Sequence, residues 1–231
     1  MIGLTDAARR IVAVAAPILC IDTSSLLDLA RDPLRPKFDA RHAGAALQLI
    51  ARAESKPATL TIVLTEQVIK ELNDHLSEVK AEGERAIQQL NKALEICRIY
   101  GAIHGLPTPV IPTSAYSSAA DAVIQRFVRT AVTLRGSAAS RNRAWDRVST
   151  ALAPAKRGKQ SMKDCVIIEN YLQVIGKVRT NGFQRKALFL TSNTADYAEG
   201  PSFRLHPDLV SSFSSVSLGF QINFESALWS T

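Results

Sequence analysis

The sequence predicts an α/β protein built on a mainly parallel sheet. Apolar runs at 18–22, 60–64 and 187–191 have the character of strands buried on both faces, the second of them rich in β-branched residues. Helical patterns separate these runs, as crossovers between parallel strands require. The first run stops abruptly at a carboxylate and two hydroxyls, Asp22-Thr23-Ser24. In open α/β sheets, ligand and catalytic groups sit just beyond the carboxyl ends of strands.

Taken in order, Ile18 to Asp22 reads as the first strand. Ser24 to Ala30 starts a helix that Pro33 and Pro36 break. Arg41 to Ala53 is a second helical pattern, with Ala45, Leu47, Leu49 and Ile50 on its apolar side, and Lys56-Pro57 ends it. Leu60 to Leu64 is the second strand. Thr65 stands where a helix cap belongs and Glu66 in the first turn. The helix that follows runs through Val68, Ile69, Leu72 and Leu76 toward Leu94 and Ile99, with Gly83 a point of kinking or division. Gly101, Gly105, Pro107, Pro109 and Pro112 mark a loop over 101–118. Ser118 to Leu134 is expected to be helical, and 135–160 basic and irregular with a short helix around Trp145 and Val148. Ser161 caps the next helix, which carries Val166, Ile167, Tyr171, Leu172, Ile175 and Val178. Ala187 to Thr191 is the third buried strand, followed by a polar turn over 192–197. Val216 to Phe224 alternates and reads as another strand, with a short helix at the end. There is no internal repeat and no low-complexity segment.

With 231 residues and a 46% hydrophobic composition, the chain suits one domain with a real core and an elaboration. Its formal net charge of +7 and pI near 9.5 favour a polyanionic partner such as nucleic acid. Cys20, Cys97 and Cys165 are far apart, lack metal-ligand spacing and sit in apolar contexts, which predicts buried free thiols in a reducing compartment. Arg9-Arg10 before Ile11 to Cys20 has the outline of an export signal. Its apolar stretch is short, Pro17 interrupts it and no small-residue cleavage site is clear, so the expectation is a cytoplasmic protein. No run is long enough to span a membrane.

Four acidic residues occupy comparable places in this layout. Asp22 follows the first strand, Glu71 lies in the helix after the second, Asp164 opens the helix before the third, and Asp196 lies just past it. A parallel sheet brings strand ends and adjoining helix starts to one edge. Clustered carboxylates repel and raise one another's pKa, and hard divalent cations relieve this most easily. Oxygen ligands suit Mg²⁺ or Mn²⁺. Such ions activate water and stabilise the leaving oxygen of a phosphodiester.

The motifs resemble those of the PIN-domain family of metal-dependent nucleases. They are Ile21-Asp22-Thr23-Ser24, Val68-Ile69-Lys70-Glu71-Leu72, Lys163-Asp164-Cys165-Val166-Ile167, and Leu190-Thr191-Ser192-Asn193 with Asp196-Tyr197. No single motif is specific; their order over residues 18–197 carries the resemblance. It implies a three-layer α/β/α fold and a metal-dependent endoribonuclease acting on single-stranded RNA, with DNA also open. Asp22, Glu71, Asp164 and Asp196 would be the catalytic, metal-binding set. Thr23 or Ser24 would orient Asp22 or a phosphate, and Asn193 would support a ligand or a water. The interval from Glu71 to Asp164 is longer than in compact toxin-type members, which predicts a single PIN-like domain over 1–231 with a helical and basic insertion at about 80–160. An antitoxin-like protein partner and a homodimer stay open.

Each residue also has a plainer reading. Glu71 fits a solvated charged face with Lys70, Asp74, His75 and Glu78, and His75 is expected to be a surface residue. Asp164 fits a capping box with Ser161. Glu169 lies about 140° round the helix from Asp164, a poor position for a co-ligand. Asp196 fits a turn, and Tyr197 is expected to pack rather than stack on a base. The basic stretch Arg135, Arg141, Arg143, Arg147, Lys156, Arg157, Lys159 and Lys163 is either a solvated loop or a strip that tracks phosphates. Within it, Arg141, Arg143, Lys156, Arg157, Lys159 and Lys163 are the candidate nucleic-acid contacts, and Trp145 either stacks or packs. Two rival functions remain. One is a non-catalytic RNA- or protein-binding module on the same scaffold. The other is a phosphoryl hydrolase of the haloacid dehalogenase type, which normally needs a second Asp where this chain has Ser24.

Overall fold

Ile18, Leu19, Cys20 and Ile21 are buried along their whole length, as a central strand covered on both faces must be. The structure is a computed structural model and describes residues 1–36, 38–103, 105, 109–156 and 161–231. In chain order the elements are α1 (Leu4–Val14), β1 (Ile18–Ile21), α2 (Thr23–Leu27), α3 (Ala40–Glu54), β2 (Thr61–Thr65), α4 (Glu66–Ile99), α5 (Thr113–Thr130), β3 (Val132–Leu134), α6 (Ala138–Thr150), α7 (Met162–Thr180), β4 (Ala187–Leu190), α8 (Thr194–Tyr197), β5 (Ala198–Glu199), β6 (Arg204–Leu205), α9 (Pro207–Ser215), β7 (Leu218–Gln221) and α10 (Phe224–Ser230).

The central five-stranded sheet is parallel throughout, in the order β3-β2-β1-β4-β7. From β1 the chain moves outward to β2 and then β3, next crosses to β4 on the other flank and moves outward to β7. Right-handed crossovers place the helices of these two journeys on opposite faces. α3 and α5 pack together on one face, joined by α10 against α3. On the other, α1, α6 and α9 all pack against α7. The result is a three-layer α/β/α fold. The direction of travel reverses between β1 and β4, and a reversal of strand order opens a crevice at the carboxyl ends of the two strands.

Several elements differ from the sequence expectation. Leu4–Val14, to which the sequence reading assigned no element, forms α1, with Ala7, Ala8 and Ile11 buried. Its apolar side recurs at i, i+1 and i+4, a helical stripe. The end of the expected 118–134 helix is β3, a short edge strand paired with β2, and α5 begins earlier, at Thr113. The 138–150 stretch is regular helix, started by Ser137, whose side chain accepts from the Ser140 N–H. α4 runs unbroken through Gly83 for 34 residues. There a Cβ would stand 2.6 Å from the Ala30 carbonyl oxygen and 2.6 Å from Tyr116 Cε1, so the glycine allows close approach rather than a kink. The stretch 80–160 carries the second half of α4, α5, β3 and α6, and β3 extends the central sheet. Cys20 and Cys165 are buried free thiols, but Cys97 is exposed near the end of α4.

Candidate active site at the sheet's switch point

β1 and β4 run in register, with Ile21 beside Leu190, so the next residues of each strand, Asp22 and Thr191, emerge together at the reversal. The Asp22 N–H donates to the Leu190 carbonyl and the Thr191 N–H to the Gln221 carbonyl, which fixes both backbones before the side chains diverge. Asp22 is 2% exposed. Its Oδ2 accepts from the Ser24 hydroxyl at 2.6 Å and the Thr191 hydroxyl at 2.8 Å, and neither hydroxyl uses Oδ1. Asp22 occupies the N-cap position of α2, but its side chain makes no capping bond. The carboxylate is thus held by the Ser24 and Thr191 hydroxyls without a side-chain capping bond to the helix. Burial raises the Asp22 pKa above its usual range, the two hydroxyls oppose that rise, and the nearby Glu71 charge adds to it.

Glu71 reaches the same region from the second turn of α4. Thr65 starts that helix as expected, its hydroxyl accepting from the Val68 N–H at 3.2 Å. Thr23 donates to Glu71 Oε2 at 2.7 Å and Gln67 to Oε1 at 2.9 Å. The adjacent hydroxyls of the Asp-Thr-Ser motif therefore divide their labour, Ser24 holding Asp22 and Thr23 holding Glu71. His75 is exposed, as expected.

Asp164 lies in the first turn of α7 and is half-buried. The capping box that was the alternative reading of Asp164 is not formed, because the Ser161 side chain makes no capping hydrogen bond. Two turns on, the buried Tyr171 hydroxyl donates to the Ile21 carbonyl at 2.6 Å and lies 3.3 Å from the Val63 carbonyl, fastening α7 to the ends of β1 and β2. Asp196, 1% exposed, lies in α8. Its Oδ2 accepts from Asn193 at 2.9 Å, and Lys156 Nζ stands 3.3 Å from Oδ1 while also donating to the Ala195 carbonyl. Tyr197 packs, as expected: it is fully buried against Phe189, and its hydroxyl donates to the Asp164 carbonyl at 3.1 Å. Burial pushes the Tyr197 phenol well up, and the fields of Asp22, Asp164, Cys165 and Glu71 push it further. Asp22, Glu71 and Asp164 therefore all lie within electrostatic reach of one buried ring, and Asp196 is its chain neighbour.

Among the described residues, no three His, Cys, Asp or Glu side chains form a ready-made cage for a cation. The donors that do face this region are nevertheless of the type a hard divalent ion accepts. They are carboxylates supported by hydroxyl and amide groups, with a desolvated Asp22 that a cation would relieve. Burial pushes the Cys165 thiol up to about 12.

The basic residues separate. Arg143 and Arg147 donate to the buried Glu169 at 2.8 and 2.6 Å, so Glu169 is the anchor of α6 on α7 and not a co-ligand. Arg141 and Lys163 are exposed, Arg141 beside Gly136 and Glu66. Lys156 is on Asp196, as above. Arg157 and Lys159 lie outside the described residues. Trp145 is exposed on α6. Sequence reasoning quoted Thr191 only as part of a motif and Tyr171 only as a residue of its helix, and gave no role to Gln67. A hydroxyl directly after a buried strand was the available signal for Thr191; the other two depend on which helix face meets the sheet.

The parallel sheet of this α/β/α fold carries a hydroxyl-held, buried aspartate at its switch point and further acids on the adjoining helices. A family model described as PIN domain matches residues 19–197, and the chain belongs to the PIN-domain family. PIN domains are generally nucleases and typically use divalent metal ions. Comparison with curated proteins and with solved structures gave no match. No described helix is long and apolar enough to cross a membrane.

Proposed function

We propose that this protein is an endoribonuclease that hydrolyses phosphodiester bonds of single-stranded RNA with Mg²⁺ or Mn²⁺. Asp22, Glu71, Asp164 and Asp196 would hold the metal. The observation that carries the reading is Asp22: a carboxylate kept buried at the strand-order reversal, aimed by Ser24 and Thr191, and left without a capping role. A bound ion supplies an activated water and neutralises charge on the scissile phosphate. The chain's own residues do the rest. Ser24 and Thr191 hold Asp22, Thr23 and Gln67 hold Glu71, and Asn193 bonds Asp196. Arg141 and Lys163 present exposed cations to a phosphate backbone.

One observation favours a binding module without turnover. Lys156 already neutralises Asp196, so a cation is not needed there to balance that charge. A cleavage assay on labelled single-stranded RNA and DNA, with Mn²⁺, Mg²⁺ or EDTA, separates the two. The nuclease reading expects RNA cleavage with either ion, none in EDTA and none from Asp22→Asn. Cleavage that persists in EDTA, or in the variant, overturns it. Metal-independent RNA binding without any cleavage supports the module.

A further inference from the structure

A cavity of about 790 Å³ opens beside the acidic residues, between α2, the segment leading to α3, the turn before α8 and the start of α10. This lies within the roughly 300–1,000 Å³ typical of small-molecule sites. Two of its lining residues belong to the site already described: Ser24 bonds Asp22 and Asn193 bonds Asp196. Its other walls have a different chemistry. Phe38 stacks on His42 with ring centroids 6.1 Å apart, and the Arg35 guanidinium lies over the Phe38 ring at 4.6 Å. Phe203 faces the cavity from the far side and is 41% exposed although aromatic. Arg31 and Ser25 also line it. Ser25 is 2% exposed, and its hydroxyl has no hydrogen-bond partner among the described residues. Arg31 Nε is likewise without a hydrogen bond among the described residues, and both atoms are shielded from the cavity.

We propose that this cavity is a nucleoside subsite that takes one base of the RNA strand, next to the phosphate handled at Asp22. The inference rests on the nuclease reading for its choice of ligand. Single-stranded RNA is recognised by splaying bases onto aromatic and guanidinium faces and bonding their edges. Phe203 and the Phe38–Arg35 stack are such faces. Ser192 and Thr194 line the same cavity and offer hydroxyls to a base edge, and an inorganic anion would not use the aromatic walls. The guanidiniums of Arg31 and Arg35 are offset by Asp28, which lies 3.7 Å from Arg31 Nε and 3.1 Å from Arg35 Nη2, so the cavity is less cationic than its arginines suggest. That balance suits a neutral base better than a second phosphate.

The test is binding without turnover. Fluorescein-labelled eight-nucleotide single-stranded RNA and an abasic ribose-phosphate chain of equal length are titrated against the full chain in EDTA, by anisotropy. Phe203→Ala and Phe38→Leu are each expected to weaken RNA binding by about tenfold, in line with the loss of one stacked base. Binding of the abasic chain should be unchanged. Trp229→Ala, an exposed aromatic outside the cavity, should match wild type on both probes. Circular dichroism melts of each variant show whether the fold is retained, and Phe203, on an exposed turn, guards against a folding failure at Phe38. If Phe203→Ala binds RNA as wild type does, or weakens RNA and abasic chain equally, the subsite is overturned while any metal-dependent cleavage still stands. If base-dependent binding is present but Mn²⁺ elicits no cleavage, the subsite survives and the nuclease reading fails.

Discussion

Thr191 donates its hydroxyl to Asp22 Oδ2 at 2.8 Å across 169 residues of sequence, bridging the strands on either side of the topological switch. The same Thr191 oxygen accepts from the Asn193 N–H at 3.0 Å and lies 3.2 Å from the Ser24 hydroxyl. One side chain thus ties the β4 turn, the α2 start and the central carboxylate together. Thr191→Val keeps the shape and removes the hydroxyl. Loss of a group that orients a metal ligand typically costs about 10- to 100-fold in metal affinity or activity. Titration of Mn²⁺ against wild type and variant, with RNA cleavage as readout, should show a higher half-saturating Mn²⁺ and a lower maximal rate. Equal curves would show that Ser24 alone sets the carboxylate.

Asp22 gives a pH-dependent stability with a definite sign. Its folded-state pKa is raised, chiefly by burial. A carboxyl of this kind favours the fold while protonated, below the ordinary value of about 4. That contribution is lost as pH rises through the raised folded value. At pH 7.5 in EDTA the wild type therefore carries a desolvated charge that Asp22→Asn removes. The variant is expected to melt at a higher temperature. For a chain of this size each 1 kcal/mol corresponds to roughly 2–4 °C. The difference should shrink as pH falls toward 4, and adding Mn²⁺ should narrow it by stabilising the wild type. A variant that melts lower than wild type in EDTA contradicts the assignment of burial as the dominant influence on Asp22.

Glu169 tests the separation of scaffold from site. It is buried and accepts from both Arg143 and Arg147, and Arg147 is itself buried, donating also to the Ala153 carbonyl and Ser212. Glu169→Ala leaves the Arg147 charge without its carboxylate, a change that costs about 3–5 kcal/mol. Urea unfolding should show a correspondingly lower midpoint, with Arg143→Ala far milder because that side chain is half in solvent. If Glu169→Ala instead retained stability and lost metal affinity, Glu169 would belong to the metal set after all.

The sheet was legible because a strand buried on both faces reads as a near-continuous apolar run: Ile18–Ile21 and Ala187–Leu190 are apolar throughout, and Ile62, Val63 and Leu64 form the apolar centre of Thr61–Thr65. β3 was hidden for the opposite reason. Val132–Leu134 is a three-residue edge strand with only Leu134 buried, too short to impose a period on the sequence. Thr65 announced α4 by its chemistry, whereas Gly83 misled, since local propensity cannot register a neighbour that arrives from elsewhere in the chain. The acidic residues could be ordered along the sequence, but the support of each depends on tertiary neighbours. Thr23 serving Glu71 while Ser24 serves Asp22 follows from where α4 crosses α2, which no local pattern encodes.

Gly83 turns that last point into a measurement. In a helix interior, alanine is favoured over glycine by about 1 kcal/mol. By propensity alone, Gly83→Ala should stabilise the 34-residue α4. The added Cβ, however, would stand 2.6 Å from both the Ala30 carbonyl oxygen and Tyr116 Cε1. The first is backbone. The second cannot swing away without cost, because the Tyr116 hydroxyl donates to the Arg31 carbonyl at 2.7 Å. Relieving both contacts requires α4 to part from the end of α2 and from α5, and overpacking of this kind costs about 1–3 kcal/mol. The clash should outweigh the propensity gain. Urea unfolding is expected to give a lower midpoint with an unchanged m-value. A variant as stable as wild type would mean that the helices separate freely, and that close approach is not what this glycine secures.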